Sequence, residues 1–364
     1  MERIKLGIIG LGMAWERLHS PALARLQDKF EIAAICDTNI EKAKVAAAFM
    51  GLPGECVYSD YKKMLKQANI EAVATMVPIE KNYECAAAVI KSGKHLLAEK
   101  PLATTPDAAK KLIELKNKHN STVMVAENIR FEEENQIIKQ LIADGHIGKI
   151  VYFTDNNVVE YQNQIETDCF AQREWRQHPN FDGGVLLDSG VHHIARMRFL
   201  FGDVLSVAAH GHPTTSDFSP YSCVNALLSF ADNVAGHYSF FLEGKETQAP
   251  LVGLRIFGTQ GEIYSETRGC GFVNVSYNDG GHSAIAYSPS QGYYHELDAF
   301  HAAIRLGETV VSTPEKALGD IQIVFDILES IKQGQTIQHE QGQSYIAQMF
   351  VPKKTRAPRK KVTS

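Results

Sequence analysis

Gly93-Lys94-His95-Leu96-Leu97-Ala98-Glu99-Lys100-Pro101 is the stretch of sequence on which the predicted fold depends. The apolar run from His95 to Ala98 follows a glycine-containing turn and is typical of a short, fully buried strand. Proline cannot donate a hydrogen bond to a sheet, so we expect the strand to stop there. Lys100 would then lie at the carboxyl end of a strand, where open α/β sheets bind their ligands. Such a lysine can act as an acid or as a fixed positive charge, although a lone Lys-Pro is usually only surface structure.

A second glycine-containing turn, near the N-terminus, points to nucleotide binding. The apolar run from Ile4 to Ile9 predicts a buried strand, which leads through Gly10-Leu11-Gly12 into a helix from about Met13 to Leu26. Glycines at such a turn let the backbone approach a pyrophosphate, which then lies at the helix N-terminus. The G-x-G-x-x-G pattern has Trp15 in place of its third glycine, so the motif alone is weak. The candidate cofactor contacts here are Gly10, Gly12, Met13 and Ala14.

The next predicted strand, Glu31 to Cys36, ends at Asp37. An acid at the end of the second strand of a βαβ unit is where the adenosine ribose hydroxyls are held, and it repels a 2′-phosphate. Asp37 therefore favours NAD over NADP, while Thr38 and Lys42 leave NADP open as a cofactor. The alternative role of Asp37, capping a helix from about Ile40 to Met50, is compatible with either cofactor.

Strands and helices continue to alternate up to about residue 130, which predicts a doubly wound parallel sheet. After a linking helix from about Glu133 to Ala143, short turns separate most of the strands, which predicts a large open antiparallel sheet. One helix, from about Gly184 to Phe201, interrupts this sheet. We therefore predict a Rossmann dinucleotide-binding domain over residues 1–130 and a second domain over 131–352. The predicted strands of the second domain are Ile150 to Thr154, Val204 to Ala209, Val224 to Phe230, Val234 to Phe241, Leu251 to Phe257 and Gly271 to Tyr277, and two helices, His295 to Arg305 and Pro314 to Lys332, close it.

Composition narrows the class of protein. The chain has 364 residues, of which 44% are hydrophobic and 22% charged, as in an ordinary two-domain globular protein. Its formal charge of −5 argues against nucleic acid as the main partner. Residues 353–364 carry six basic side chains and no acid, and we expect this tail to be disordered. The six cysteines form no C-x-x-C pair, so we expect reduced thiols and no metal site. With neither a signal peptide nor a long apolar span, we expect a cytoplasmic protein without a membrane partner.

The interrupting helix contains the second chemical pattern, Asp188-Ser189-Gly190-Val191-His192-His193. Asp188 and His192 are four residues apart, which places both side chains on one face of a helix. His193 is rotated by about 100° and is expected to point elsewhere. Histidine suits proton transfer near neutral pH, and a carboxylate can orient it. A plain acid–base pair on a helix surface is the alternative interpretation.

Four segments together resemble the glucose–fructose oxidoreductase, inositol dehydrogenase and rhizopine-catabolism (Gfo/Idh/MocA) family. They are Gly7 to Gly12, Pro78 to Pro101, Trp175-Arg176-Gln177-His178-Pro179 and Gly183 to His193. In this family an N-terminal Rossmann domain binds NAD or NADP, and a C-terminal α/β domain holds the substrate and often forms the dimer face. The resemblance therefore implies that residues 131–352 form a substrate-binding and dimerisation domain, and that the protein is a homodimer or homotetramer.

The resemblance also implies roles for individual residues. The catalytic lysine, aspartate and histidine of the family match Lys100, Asp188 and His192, which would also contact the substrate. Further cofactor contacts would be Pro78, Asn82, Glu99, Lys100 and Arg176, and further substrate contacts would be Asn128, Trp175 and Arg176. Asn82 stands where many members have histidine, and Ala195 replaces a common acid after the histidine pair. The segment from Ala126 to Arg130 matches the family pattern only loosely.

These residues and the resemblance together predict an NAD(P)-dependent oxidoreductase acting on a sugar-like polyol or its ketone. In this prediction His192 takes the hydroxyl proton, Lys100 stabilises the developing alkoxide, and Asp188 orients His192 or holds a neighbouring hydroxyl. Two alternatives stay open. One is a reductase of a dihydrodiol or another carbonyl compound, since the same scaffold hosts such substrates. The other is a non-catalytic, NAD-sensing regulator, which would have no need of the lysine or the histidine.

Overall fold

The computed structural model describes residues 2–159, 169–213, 218–242, 244–249, 251–266 and 268–339. Its first half contains a six-stranded, wholly parallel sheet in the order β3-β2-β1-β4-β5-β6. This is the doubly wound order with a change of direction between β1 and β4, where such sheets bind ligands. The strands are β1 (Ile4–Ile9), β2 (Phe30–Cys36), β3 (Val57–Tyr58), β4 (Ala72–Thr75), β5 (His95–Glu99) and β6 (Val123–Ala126).

Helices cover both faces of this sheet, and most begin at a polar or proline residue that predicts a helix start. Asn39, Asp60 and Thr105 each accept a backbone N–H of the first turn through their side chains. The predicted helix after the glycine turn passes through a π-helical segment, Trp15–His19, before its α-helical part. The helices are α1 (Ser20–Leu23), α2 (Ile40–Met50), α3 (Tyr61–Gln67), α4 (Ile79–Lys91), α5 (Pro106–Lys116) and α6 (Glu133–Ala143).

The second half contains a nine-stranded sheet in the order β14-β13-β12-β11-β7-β10-β9-β8-β15. It is mostly antiparallel, as predicted, but β7 and β10 pair in parallel, with Gly236 opposite Phe153. Parallel neighbours need a long crossover, and here residues 159–234, which include helices and two other strands, provide it. The strands are β7 (Ile150–Val158), β8 (Val204–Pro213), β9 (Tyr221–Phe230), β10 (Ala235–Phe241), β11 (Gly253–Gly258), β12 (Gly261–Ser265), β13 (Phe272–Tyr277), β14 (His282–Ala286) and β15 (Ile337–Gln338).

One face of this sheet packs against the remaining long helices. Phe153 on β7, Phe201 at the end of helix α8 and Phe230 on β9 form an aromatic cluster with ring centroids 4.6 to 5.7 Å apart. The helices of this half are α7 (Glu174–Gln177), α8 (Val191–Phe201), α9 (Lys245–Gln248), α10 (Gly292–Arg305) and α11 (Pro314–Gln333). Among the residues that the structure describes, no helix is long and apolar enough to cross a membrane.

Helices α10 and α11 join the two halves. Leu297 and Phe300 of α10 are fully buried in the same apolar cluster as Ile4 and Leu6 of the first sheet. Helix α11 packs against both α5 of the first half and β8 of the second. Burial of a large apolar side chain stabilises a fold by about 1.5–3 kcal/mol. Helix α10, near the end of the described chain, therefore stabilises the core of the first sheet. The two sheets therefore have a fixed relation to each other, with a cleft between them.

The other face of the large sheet carries several exposed apolar side chains. Tyr152 on β7, Leu227 on β9 and Phe272 on β13 are each 45 to 62% exposed. Tyr152 stacks on Phe257 of β11, with ring centroids 4.3 Å apart. An apolar surface spread over several neighbouring strands is typical of a face that another chain covers.

Candidate active site

A cleft of about 1040 Å³ lies where the carboxyl ends of the parallel strands face helix α8. The first half contributes the glycine turn, the segment after β4 and the segment after β5 to its walls. The second half contributes helix α8, the residues before it and the start of α10. Of the predicted site residues, the walls contain Gly12, Met13, Ala14, Pro78, Glu99, Lys100, Trp175, Arg176, Asp188 and His192. The structure thus brings together residues that are up to 180 positions apart in the sequence.

Lys100 follows β5 directly and reaches across the cleft to Asp188. Its Nζ atom donates to the Asp188 carbonyl oxygen at 2.6 Å and to Oδ1 at 3.1 Å. The Arg176 guanidinium also donates to the Asp188 carboxylate, through Nε to Oδ2 and through Nη2 to Oδ1. Burial raises the pKa of Asp188, but these two cations outweigh burial and hold it well below its usual value. Asp188 is therefore a carboxylate shared by two cations.

The residue that orients His192 is Glu127, which the sequence interpretation did not single out. His192 Nδ1 lies 2.6 Å from Glu127 Oε1, and Glu127 is 2% exposed. The prediction that Asp188 orients His192 is therefore wrong. The carboxylate beside His192 belongs to Glu127, whereas the Asp188 carboxylate contacts Lys100 and Arg176. Glu127 follows β6 at the same sheet edge at which Lys100 follows β5, and this position could have identified it.

The protonation of this pair follows from its contacts. Burial raises the pKa of the Glu127 carboxyl, but the contact with His192 lowers this pKa, and the net result is a pKa below the usual value. Glu127 is therefore ionised. A carboxylate cannot donate, and the shared proton must therefore lie on His192 Nδ1. Burial lowers the pKa of His192 by more than Glu127 raises it, so the imidazole is neutral at neutral pH. Its Nε2 atom is left as a proton acceptor.

Glu99 is fixed from two sides at the cleft wall. Its Oε1 lies 2.6 Å from Nε2 of the buried His19, and its Oε2 accepts the backbone N–H of Lys100 at 3.0 Å. Asn82, predicted to contact the cofactor, is instead buried behind this segment. It donates to the carbonyl oxygens of Glu99 and Pro101 and is not part of the cleft wall. Asn82 thus supports the Glu-Lys-Pro segment, and His19 is a further residue that the sequence interpretation missed.

The glycine turn has the features that a dinucleotide needs. Gly10 has a φ of +91°, and a Cβ there would lie 2.2 Å from the Met76 carbonyl oxygen, so no larger residue fits. Asp37 fixes the turn, because its Oδ2 accepts the backbone N–H of Leu11 at 2.9 Å. Its Oδ1 accepts the N–H of Asn39. Asp37 itself is not in the cleft wall, whereas Lys42 is. Gly12, Met13 and Ala14, at the start of the helical segment, line the cleft, and the N–H groups of a helix start suit a pyrophosphate.

Two other predictions differ from the observed positions. Asn128, a predicted substrate contact, is fully buried, donates to Glu132 Oε1 at 2.9 Å and is absent from the cleft wall. His193 was expected to point away from His192, but it lines the same cleft. Among the described residues, no cluster of three His, Cys, Asp or Glu side chains could hold a metal ion.

Comparison with known proteins assigns the family. Residues 4–127 match the model of an oxidoreductase family with an NAD-binding Rossmann fold. Residues 139–338 match that family's C-terminal α/β domain. An uncharacterised protein of Saccharomyces cerevisiae is 30% identical over 264 residues, covering 72% of this chain and 74% of its own. A scyllo-inositol 2-dehydrogenase (NADP+) of Bacillus subtilis is 28% identical over 58% of this chain and 55% of its own.

Solved structures agree with this fold. An oxidoreductase of Thermotoga maritima has a TM-score of 0.81 with 27% identity, over 93% of this chain and 98% of its own. A levoglucosan dehydrogenase in complex with NADH and L-sorbose has the same TM-score with 23% identity, over 93% and 99% of the two chains, which is a likeness of fold alone. Two family models that cover most of the chain, and an arrangement of strands and helices shared with these structures, lead to one assignment: the chain is an NAD-binding oxidoreductase of the Gfo/Idh/MocA family.

Proposed function

We propose that this oxidoreductase transfers a hydride between NAD(P) and the hydroxyl-bearing carbon of a sugar-like polyol, or its keto form in reverse. The observation that carries the proposal is the convergence of Lys100 and His192 on one cleft beside the glycine turn. Relatives with related folds are named for scyllo-inositol and levoglucosan, which are polyhydroxylated ring compounds. The bound nicotinamide supplies hydride acceptance and donation, and the chain supplies position, charge and proton transfer.

Lys100 stabilises the reacting oxygen in this proposal. Its ammonium is anchored to Asp188 by two contacts, so the charge has a fixed position before the substrate arrives. A fixed positive charge favours an oxygen that becomes negative as its proton leaves. The Asp188 carboxylate contacts Lys100 and Arg176, and its role is therefore to position these two cations.

His192 is the general base of the oxidation. Its neutral Nε2 accepts the hydroxyl proton, and the imidazolium that forms is stabilised by the Glu127 carboxylate at Nδ1. In the reductive direction the same atom returns the proton to the carbonyl oxygen. Glu127 thus takes the part that the sequence interpretation gave to Asp188.

The cofactor contacts follow the walls of the cleft. We propose that the pyrophosphate binds at Gly10, Gly12, Met13 and Ala14, and that Pro78 and Glu99 lie beside the nicotinamide half. Trp175 and Arg176 would lie on the substrate side. Arg173 Nε contacts Met13 Sδ at 3.0 Å, so the second half of the chain reaches the glycine turn directly.

The wider setting of the enzyme is also a proposal. We infer a homodimer or homotetramer that covers the apolar face of the large sheet, and a cytoplasmic location with no nucleic-acid or membrane partner. We also propose a domain boundary between residues 1–130 and 131–352, although helix α10 of the second segment packs into the apolar core of the first sheet.

Incubation with NAD+ or NADP+ and a panel of polyols, followed by the absorbance of reduced nicotinamide, tests the proposed function. The panel should contain scyllo-inositol, levoglucosan, D-glucose and glycerol, with Lys100→Ala as the inactive control. Turnover by the wild type that Lys100→Ala lacks supports the proposal. Turnover of only a dihydrodiol or an aldehyde would favour the reductase alternative, and tight cofactor binding without any turnover would favour a regulator.

A further inference from the structure

His193 is a second imidazole in the cleft, next to the proposed base in the sequence and in the same wall. Its Nδ1 atom lies 3.2 Å from the Tyr238 hydroxyl oxygen. The centroid of its ring lies 5.9 Å from the ring centroid of Tyr238 and 6.0 Å from that of Phe240, both on β10. Burial and the nearby Arg196 and His192 hold the pKa of His193 well below its usual value, so the ring is neutral. His193 is therefore a rigid, uncharged group.

The partner of Nδ1 determines which nitrogen of His193 carries the proton. Tyr238 is fully buried, and within the described residues its hydroxyl has one hydrogen-bond partner, His193 Nδ1. Burial raises the pKa of Tyr238 well above its usual value, so the hydroxyl keeps its proton. A buried hydroxyl that donates to nothing is costly, which makes Tyr238 the donor and Nδ1 the acceptor. The proton of neutral His193 must then lie on Nε2.

The two adjacent histidines thus hold opposite tautomers. The Glu127 carboxylate puts the proton of His192 on Nδ1, whereas the Tyr238 hydroxyl puts the proton of His193 on Nε2. His193 Nε2 has no hydrogen-bond partner among the described residues and is not one of the polar atoms enclosed by protein. The cleft therefore presents one imidazole that accepts a proton and one that donates a hydrogen bond.

We propose that His193 is a specificity-determining residue whose Nε2–H donates to a second substrate oxygen, on a carbon next to the one that reacts. This inference rests on the proposed function and narrows its substrate class to compounds with vicinal oxygens, such as 1,2-diols and hydroxy ethers. The acceptor oxygen does not change in the reaction, so the hydrogen bond is the same before and during hydride transfer. Its loss raises KM and leaves kcat nearly unchanged.

Two substrates that differ by one oxygen, D-glucose and 2-deoxy-D-glucose, test this role when both are oxidised at C1. We expect the wild type to prefer D-glucose in kcat/KM by about tenfold, the usual worth of one hydrogen bond. His193→Phe, which keeps an aromatic ring, should reduce this ratio to near one by raising KM for D-glucose. His193→Gln, whose amide N–H can replace Nε2–H, should restore most of the ratio. An unchanged ratio in His193→Phe, with cofactor affinity as the check on folding, would overturn the inference.

A second measurement tests the tautomer without any turnover. Long-range ¹H–¹⁵N NMR spectra of the ¹⁵N-histidine-labelled full chain distinguish the two tautomers, and His193→Gln identifies the signal by its loss. We expect the Nε2–H tautomer at His193, and loss of that preference in Tyr238→Phe. An Nδ1–H tautomer at His193 would overturn the inference even if the enzyme is active on both sugars. If the wild type oxidises neither sugar, the proposed function fails for aldoses, and the tautomer alone decides the case of His193.

Discussion

Glu127→Gln should reduce oxidation while leaving the shape of the site intact. The substitution keeps an amide oxygen that can accept the Nδ1 proton of His192, but it removes the charge that stabilises the imidazolium. A hydrogen bond to a charged group contributes about 1.5–3 kcal/mol and a neutral one about 0.5–1.5 kcal/mol. The difference of about 1–1.5 kcal/mol corresponds to a decrease of about tenfold in kcat/KM. Cofactor affinity should not change, because Glu127 is not in the cleft wall.

The same substitution should shift the pH profile. Oxidation requires neutral His192, so activity is lost as the pH falls through the pKa of this group. Burial already lowers that pKa below 6.5, while the Glu127 charge raises it. Removing the charge lowers the pKa further, and the acid limb of kcat/KM should move to lower pH. Glu134→Gln is the matched control: Glu134 is equally buried but bonds to Ser265 and Tyr287. An acid limb that stays in place or moves upward in Glu127→Gln would refute the orienting role.

Four further outcomes follow from the same geometry. Lys100→Ala and His192→Ala should each lower kcat by about 10²-fold with little effect on cofactor binding. The loss of kcat in the double variant should be much smaller than the product of the two single losses, as steady-state kinetics will measure. Asp188→Asn should lower the free energy of unfolding by on the order of 3 kcal/mol, since it removes the buried carboxylate that Lys100 and Arg176 both contact, as denaturant titration will measure. Fluorescence titration should give tighter binding of NADH than NADPH if the Asp37 carboxylate, directly after β2, repels a 2′-phosphate as its sequence position predicts; the opposite order would contradict this. Light scattering at micromolar concentrations should give a dimer or larger, and a strict monomer would count against the covered sheet face.

Local sequence patterns were sufficient for most of the fold. Strands such as His95–Glu99 and helices such as Ile40–Met50 are determined by apolar runs, glycines and capping residues that lie within a few positions of each other. The parallel pairing of β7 with β10 could not be predicted in this way, because it joins residues about 80 positions apart. The short strands β12 and β14 were missed as well. Their sequences show only a weak alternation of apolar and polar residues. Pairing with β13 therefore stabilises these strands more than the β-propensity of their own residues does.

Site residues that directly follow strands could be predicted from the sequence. The contacts between site side chains were harder to predict, because they depend on how distant segments pack. Lys100 and His192 meet at one cleft, as the strand-end and helix-face arguments predicted. The spacing of Asp188 and His192 gave the wrong partner, because a π-helical turn ends between them and changes the rotation of the helix. Glu127 was quoted only as part of a loosely matching segment. Its position after β6 marks it as a residue of the sheet edge, but its contact with His192 depends on α8 lying across the end of β6, which no local pattern contains.

The charges in the finished site show why these partners matter for the reaction. Lys100 and Arg176 both contact the carboxylate of Asp188, which holds the Lys100 ammonium beside the proposed position of the reacting oxygen. Because Asp188 also binds Arg176, its negative charge is not used by Lys100 alone. Neutral His192 with ionised Glu127 carries one negative charge. Proton transfer from the substrate hydroxyl to Nε2 therefore leaves a negative oxygen next to the Lys100 ammonium and a positive ring next to a carboxylate. Both changes are favoured by charges fixed in place before the substrate binds, which is how a protein lowers a barrier without reorganising around it.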